Sequence, residues 1–226
     1  MKPHLYDGCG FYLFLMDIFV TGTDTGVGKT LIAQALIAGF AEKGKKVLGM
    51  KPVASGQDRD LEKLMHQSTA AAPQALLNPY AYEAPISPHL AAARVNESID
   101  ISYVAYCYRR LKCLAEVVIV EGAGGILCPL NEKQTMLDLA IALGLPIIMV
   151  VGLRLGCLNH ALLTECALLK AGLTVQGWVA NHLDAQMLCH QDNIETLQCR
   201  LQAPFLGTIP YGASVSHAKK VLFQKN

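Results

Sequence analysis

The sequence predicts an α/β fold: a single-domain, doubly wound, mostly parallel sheet flanked by helices. Three observations carry this. Short apolar runs rich in β-branched residues alternate with longer stretches of helical spacing, as βαβ units require. Each apolar run is nearly continuous, which suits strands covered by helices on both faces. The first run ends in a glycine-rich turn, TGTDTGVGKT at residues 21–30, that opens a helical stretch.

In chain order, strands are expected at Asp17–Thr21, Val47–Lys51, Val117–Val120, Pro146–Val151, Gln176–Ala180 and Phe205–Ile209. Helices fit between them. Lys29–Lys43 carries apolar residues at 32, 36, 37 and 40, with Gly44 where a C-terminal cap belongs. Ile101–Leu114 and Leu158–Ala171 have similar spacing. From about Ser55 to Ser98 the chain turns rich in Pro, Ala and polar residues (NPYAYEAPISPHLAAA), which favours loops and short helices over strands. Such an insertion in a compact domain is usually a functional loop. The apolar run in MKPHLYDGCGFYLFLMDIFV is too short to span a membrane, is broken by Asp17 and has no small-residue cleavage site after it. Residues 1–15 are therefore expected to be an extension, with Met16 as the natural beginning and one domain over 16–226.

The 226 residues fit one sizeable domain. Hydrophobic residues make up 52% and charged residues 16%, so a buried core is expected. A net charge of +1 without a basic block gives no footprint for nucleic acid or an anionic membrane, and points to small-molecule or protein partners. The eight cysteines include no Cys-x-x-Cys pair, and most sit in apolar runs where a thiol behaves as a small core hydrophobe. That usage implies a reducing compartment and a cytoplasmic location. His182, Cys189, His190 and Cys199 are too irregularly spaced for a zinc site and read as ordinary helix residues.

In DIFVTGTDTGVGKT a strand, a turn and a helix follow one another, the setting a phosphate loop needs. Its spacing is one residue longer than usual, with Gly22 rather than residue 23 as the first glycine. Gly22, Gly26 and Gly28 let backbone N–H groups face one anion. Lys29 can bridge the β- and γ-phosphates and the Thr30 hydroxyl can ligate Mg²⁺. Lys51, in MKPVASG, ends the second strand, where parallel sheets place their ligands. Glu121 ends VVIVEGAGG, the position of an acidic group that holds Mg²⁺. In QDRDLEKL, both Asp58 and Asp60 are acidic candidates, and spacing does not choose between them.

The segments GTDTGVGKT, KPVASG, NPYAYEAPISPH, VEGAGG, VGLRLGCLNHALLT and GWVANH occur in the order and spacing of dethiobiotin synthetases. The resemblance covers residues 17–212 and includes the long spacing of the loop. It implies an ATP-dependent cyclo-ligase of biotin biosynthesis. That enzyme carboxylates 7,8-diaminononanoate with CO₂ and closes the ring to dethiobiotin through a phosphorylated carbamate, giving ADP and phosphate. It implies Lys29 and Lys51 as catalytic groups and Mg²⁺ on Thr30, Asp60 and Glu121, which favours Asp60 over Asp58. Gly26, Val27, Gly28, Lys29, Thr30, Leu31, Gly122, Ala123 and Gly124 would line the nucleotide. Asn181, His182, Pro210, Tyr211 and Gly212 would hold its adenine end. Thr25, Ser55, Gly124 and Asn159 would meet the substrate, with Asn159 as a helix N-cap in a homodimer interface that completes the site. Residues 184–200 match weakly, and the basic tail SVSHAKKVLFQKN is expected to be a solvated helix face.

Two rivals fit less well. Partitioning and assembly ATPases carry a lysine five residues before the loop lysine, where this chain has Asp24. Amidating ligases of the same fold carry a glutaminase domain for which this chain has no space.

Overall fold

The structure, a computed structural model, describes residues 17–56 and 59–223. The expected extension over residues 1–15, Met16 and the rejected Asp58 lie outside these. The described chain begins with β1 (Ile18–Gly22), α1 (Lys29–Glu42) and β2 (Val47–Met50). The insertion holds β3 (Val53–Ser55), α2 (Asp60–Gln67), α3 (Gln74–Leu77), β4 (Tyr80–Tyr82) and α4 (Pro88–Arg94). Then follow α5 (Ile101–Lys112), β5 (Val117–Glu121), α6 (Met136–Leu143), β6 (Ile147–Leu153) and α7 (Cys157–Lys170). The chain closes with β7 (Val175–His182), α8 (His190–Arg200), β8 (Phe205–Ile209) and α9 (Val215–Phe223).

All six expected strands form one sheet in the order β2-β5-β1-β6-β7-β8, every pair parallel. Because side chains alternate across a strand, the continuous apolar runs feed two cores at once. Ile18 and Val20 of β1 point to a core closed by α1, Leu64 of α2 and Ala218 and Leu222 of α9. Phe19, between them, points to the other core, closed by α5, α6, α7 and α8. The doubly wound expectation is met.

The ends of α1 follow from its sequence. Gly28 caps it at φ 97° and Gly44 ends it at φ 76°, its N–H donating to Ala41 O at 2.9 Å. The tail is more than a solvated face: Phe223 stands edge-on to Phe40 with centroids 5.6 Å apart, and Lys219 pairs with Glu42. An edge-to-face pair adds about 0.5–1.5 kcal/mol beyond its area burial.

Two expectations are corrected. The stretch from Ser55 to Ser98 is not strand-free: its β4 pairs in parallel with β3, at its entrance, as a separate two-stranded sheet. The pairing is possible because the side chain of Asn78 donates to Lys51 O at 2.5 Å and to Tyr80 O at 3.1 Å, tying both strand starts together. Nor do most of the described cysteines lie in the core. Only Cys107 and Cys157 are buried, Cys128 is half-buried, and 113, 166, 189 and 199 are exposed. Apolar sequence neighbours on a helix do not fix which face a thiol takes.

Candidate active site

Strand register brings the central groups together. β2 pairs with β5 so that Met50 faces Val120, and the next residues, Lys51 and Glu121, leave the sheet side by side. β5 pairs with β1 so that Glu121 faces Val20, close to where β1 enters the phosphate loop. Asp60 reaches the same point from the first turn of α2. Lys51 Nζ lies 2.5 Å from Glu121 Oε1 and 2.9 Å from Asp60 Oδ2, and Thr30 Oγ1 donates to Glu121 Oε1 at 2.8 Å. Lys51 is 3% exposed and Glu121 1%. Charges are rarely buried so completely unless paired, and these are paired.

Burial opposes charge on Lys51, but the Glu121 and Asp60 carboxylates outweigh it and hold its ammonium above the usual lysine range. Burial likewise works against Asp60, and Lys51 overcomes it, bringing that carboxyl below its usual range. Glu121, deepest of the three, is pushed up by burial despite Lys51. The second oxygen of Glu121, Oε2, is buried with no hydrogen-bond partner. An orphaned buried carboxylate oxygen beside a hydroxyl and a second carboxylate is a hard-oxygen donor set, and it fits a divalent cation that keeps waters and phosphates in its shell.

Lys29 is also buried, and its Nζ folds back on Asp24 O at 2.8 Å. Burial first, then the Lys51 charge, lower its pKa to about 8, against the pull of Glu121, Asp60 and Asp24. The free protein therefore sheds this proton as pH rises through about 8, while a phosphate on Lys29 would hold it. Nucleotide binding is expected to take up a proton at higher pH, and affinity to fall by about tenfold per pH unit above the Lys29 pKa. Calorimetry in buffers of different ionisation enthalpy measures the uptake. Affinity unchanged from pH ~7 to ~10 would contradict a phosphate-bound Lys29.

These groups open on a cleft of about 860 Å³. Of the expected residues, Thr25, Gly26, Gly28, Leu31, Ser55, Ala123 and Gly124 line it along with Lys29, Thr30, Lys51, Asp60 and Glu121. Val27 is buried beneath it, and the Gly122 carbonyl lies 3.5 Å from Lys51 Nζ. Asn181 stands behind the loop, where its Nδ2 donates to Val27 O at 2.8 Å, so one of the two N–H donors of its amide is committed. β7 and β8 pair Asn181 with Ile209, which places Pro210, Tyr211 and Gly212 beside it, all exposed. The His182 ring packs on His190, centroids 4.9 Å apart, and burial, then His190, lower its pKa. Among the described residues no three His, Cys, Asp or Glu side chains gather as a metal site.

Asn159 requires a correction. The N-cap of α7 is Gly156, left-handed at φ 93°, and Asn159 lies inside the first turn, exposed and away from the cleft lining. A left-handed glycine takes the capping position without a side chain. The sequence reading also missed cleft residues. Gln34 and Lys63 carry no pattern, whereas Val53, Ala54 and the Pro85–Pro88 wall lie in or next to segments already singled out as motifs.

The chain matches the AAA domain family model over residues 16–219. The ATP-dependent dethiobiotin synthetase BioD of Nitrosospira multiformis is 48% identical over 197 residues, 85% of this chain and 87% of that protein. Among solved structures, the MinD cell division protein of Aquifex aeolicus gives a TM-score of 0.56 at 19% identity, over 91% of this chain and 87% of that one. The septum site-determining protein MinD from Pyrococcus horikoshii, complexed with Mg-ADP, gives 0.58 at 16%, over 92% and 94%. At such identities the two MinD structures establish the fold and nothing more. The match in sequence along nearly the whole chain decides the family: the chain belongs to the ATP-dependent dethiobiotin synthetases.

Proposed function

We propose that this chain is an ATP-dependent cyclo-ligase that converts 7,8-diaminononanoate and CO₂ to dethiobiotin, with ADP and phosphate as the other products. The observation that carries the reading is the buried cluster of Lys29, Lys51, Thr30, Asp60 and Glu121 at one end of the cleft. Phosphorylating an anionic carbamate brings two negative groups together, so the site must supply positive charge and positioning. Lys29 neutralises the transferring phosphoryl group. Lys51, fixed by its two carboxylates, faces the carbamate oxygen that is phosphorylated. Thr30, Asp60 and Glu121 would hold Mg²⁺, which supplies further neutralisation of the triphosphate when bound. Ser55 and Thr25 orient the diamine along the cleft wall. One amine adds to CO₂, the carbamate takes the γ-phosphoryl group, and the second amine closes the urea as phosphate leaves.

Asn181 Oδ1 accepts from the adenine amino group, with His182 and Pro210–Gly212 around the ring. No helix among the described residues is long and apolar enough to cross a membrane, and a cytoplasmic location accords with this chemistry. The chain acts as a homodimer. Support comes from α7 and its approach, where Leu155 is 99% and Leu163 61% exposed beside Asn159. Apolar surface of this kind marks an interface. Sedimentation is expected to read twice the 24.4 kDa chain mass, and a monomer would contradict the cross-interface role of Asn159. The test of the function itself is ADP release that requires the diamine and matches dethiobiotin formed.

A further inference from the structure

One pair of side chains outside the charged cluster joins two cavities. Ser87, the residue before α4, lines the large cleft, and its Oγ lies 3.0 Å from Nδ1 of His89. His89 lines a second cavity of about 480 Å³ on the far side, between α4 and the loop at Leu130–Lys133. Ser87 shares the cleft with the phosphate loop. Cys128 lines the same cleft. A Cβ placed on Gly124 would sit 3.1 Å from Cys128 Sγ and 3.6 Å from Thr25 Oγ1, so Cys128, Gly124 and Thr25 are neighbours in the cleft wall that Ser87 shares.

The reaction proposed above, on which this inference rests, needs a proton outlet. Amines at neutral pH are ammonium ions, and an ammonium has no lone pair with which to attack CO₂. Lys29 and Lys51 cannot serve, because one neutralises phosphate and the other is held protonated by carboxylates. Asp60 and Oε1 of Glu121 are engaged by Lys51 and Thr30, and Oε2 of Glu121 belongs to the oxygen set proposed for Mg²⁺. We propose that Ser87 and His89 form the outlet. Ser87 Oγ accepts a proton from the substrate ammonium as its own hydroxyl proton passes to His89 Nδ1. The freed amine lone pair forms the N–C bond to CO₂. His89, now an imidazolium, gives a proton from Nε2 to water in the second cavity, and exchange with that water returns the Nε2–H tautomer before the next turnover. Two N–H bonds break, the first proton leaving through Ser87 and His89 and the second to water in the cleft; one N–C bond forms as a C–O π pair of CO₂ moves onto oxygen, and no atom changes oxidation state. Ser87 is then a catalytic residue and His89 a positioning and relay residue that acts through it.

Three variants test this in the full chain: Ser87→Ala, His89→Asn and His89→Ala. Asparagine keeps an acceptor near the Nδ1 position but cannot carry a proton. A group that moves protons in the rate-limiting step contributes about 10²–10⁴-fold. Each variant is therefore expected to lose about 10²-fold in kcat for dethiobiotin, with KM for ATP and nucleotide binding unchanged. Added imidazole and its methylated analogues should restore His89→Ala in proportion to their basicity, which a purely structural role would not produce. His89→Asn at parental kcat, or His89→Ala deaf to added bases, overturns the relay while leaving the function intact. A parental protein that makes no dethiobiotin overturns the function, and the relay with it.

Discussion

Replacing Lys51 with alanine is expected to lower kcat for dethiobiotin formation by about 10²–10³-fold while nucleotide still binds. That loss corresponds to about 2.7–4 kcal/mol of transition-state stabilisation. The reason lies in the strand register. Lys51 follows β2 and meets Glu121 at the end of β5, so its charge is fixed in the buried end of the cleft, where we propose that the carbamate is phosphorylated, and cannot be replaced by solvent. Nucleotide affinity should survive because the phosphate loop and Lys29 stand on β1 and α1. A second consequence separates this site from a surface lysine. Removing Lys51 leaves Glu121 buried with only Thr30 as a donor. Breaking one side of a buried pair costs about 3–5 kcal/mol when the other charge stays behind. Burial already pushes the Glu121 carboxyl up, and the loss of Lys51 pushes it further. A carboxyl whose folded pKa is raised favours the folded state at low pH, and that benefit is lost as pH rises through the folded value. The variant should therefore melt lower than the parent at neutral pH and regain part of the gap on acidification. Turnover within threefold of the parent by steady-state assay would remove Lys51 from the mechanism.

The second large effect is at Gly28. Its φ of 97° is one that side chains rarely adopt, and a Cβ there would run into the Asn181 amide. That amide in turn holds Val27 O, so the loop and the carboxyl end of β7 are built against each other through this glycine. Gly28→Ala is expected to weaken nucleotide binding by at least about 10²-fold and to lower stability by about 1–3 kcal/mol through backbone strain. Fluorescent nucleotide titration and thermal melting read the two effects. Gly26→Ala makes a useful contrast: its φ is 73°, but nothing lies within 4 Å of a Cβ there, so strain acts alone. If the two variants bound nucleotide equally well, the contact between Gly28 and Asn181 would have no part in shaping the loop.

The site was legible in the sequence where chemistry sits at strand ends. A buried parallel strand shows as a continuous apolar run, and the first polar residue after it must emerge at the carboxyl edge; Lys51 and Glu121 were found this way. The phosphate loop was legible because glycines and Gly-Lys-Thr stand between a strand and a helix. The three-residue strands β3 and β4 left no signal, since a run that short has no period, and their pairing depends on Asn78 bridging both. The helix α6 did leave one: Thr135 followed by Asp138 forms a capping box, Thr135 N–H donating to Asp138 Oδ2 at 2.6 Å. Asn159 misled because asparagine is a strong N-cap, and here a left-handed Gly156 had already taken the position. The Ser87–His89 pair was hidden inside the SPH of a quoted motif. Only the fold shows that one residue faces the cleft and the other the cavity behind it.

The central claim is that ATP is spent on phosphorylating a carbamate rather than on a conformational switch. Oxygen transfer tests it most directly. If the carbamate oxygen attacks the γ-phosphoryl group and the urea then closes, that oxygen leaves with phosphate. Turnover with the diamine, Mg-ATP and freshly mixed ¹⁸O-labelled CO₂ should give inorganic phosphate carrying one labelled oxygen, matched to dethiobiotin formed. Phosphate without label, released whether or not the diamine is present, would mean that water attacks the nucleotide, and would contradict the account.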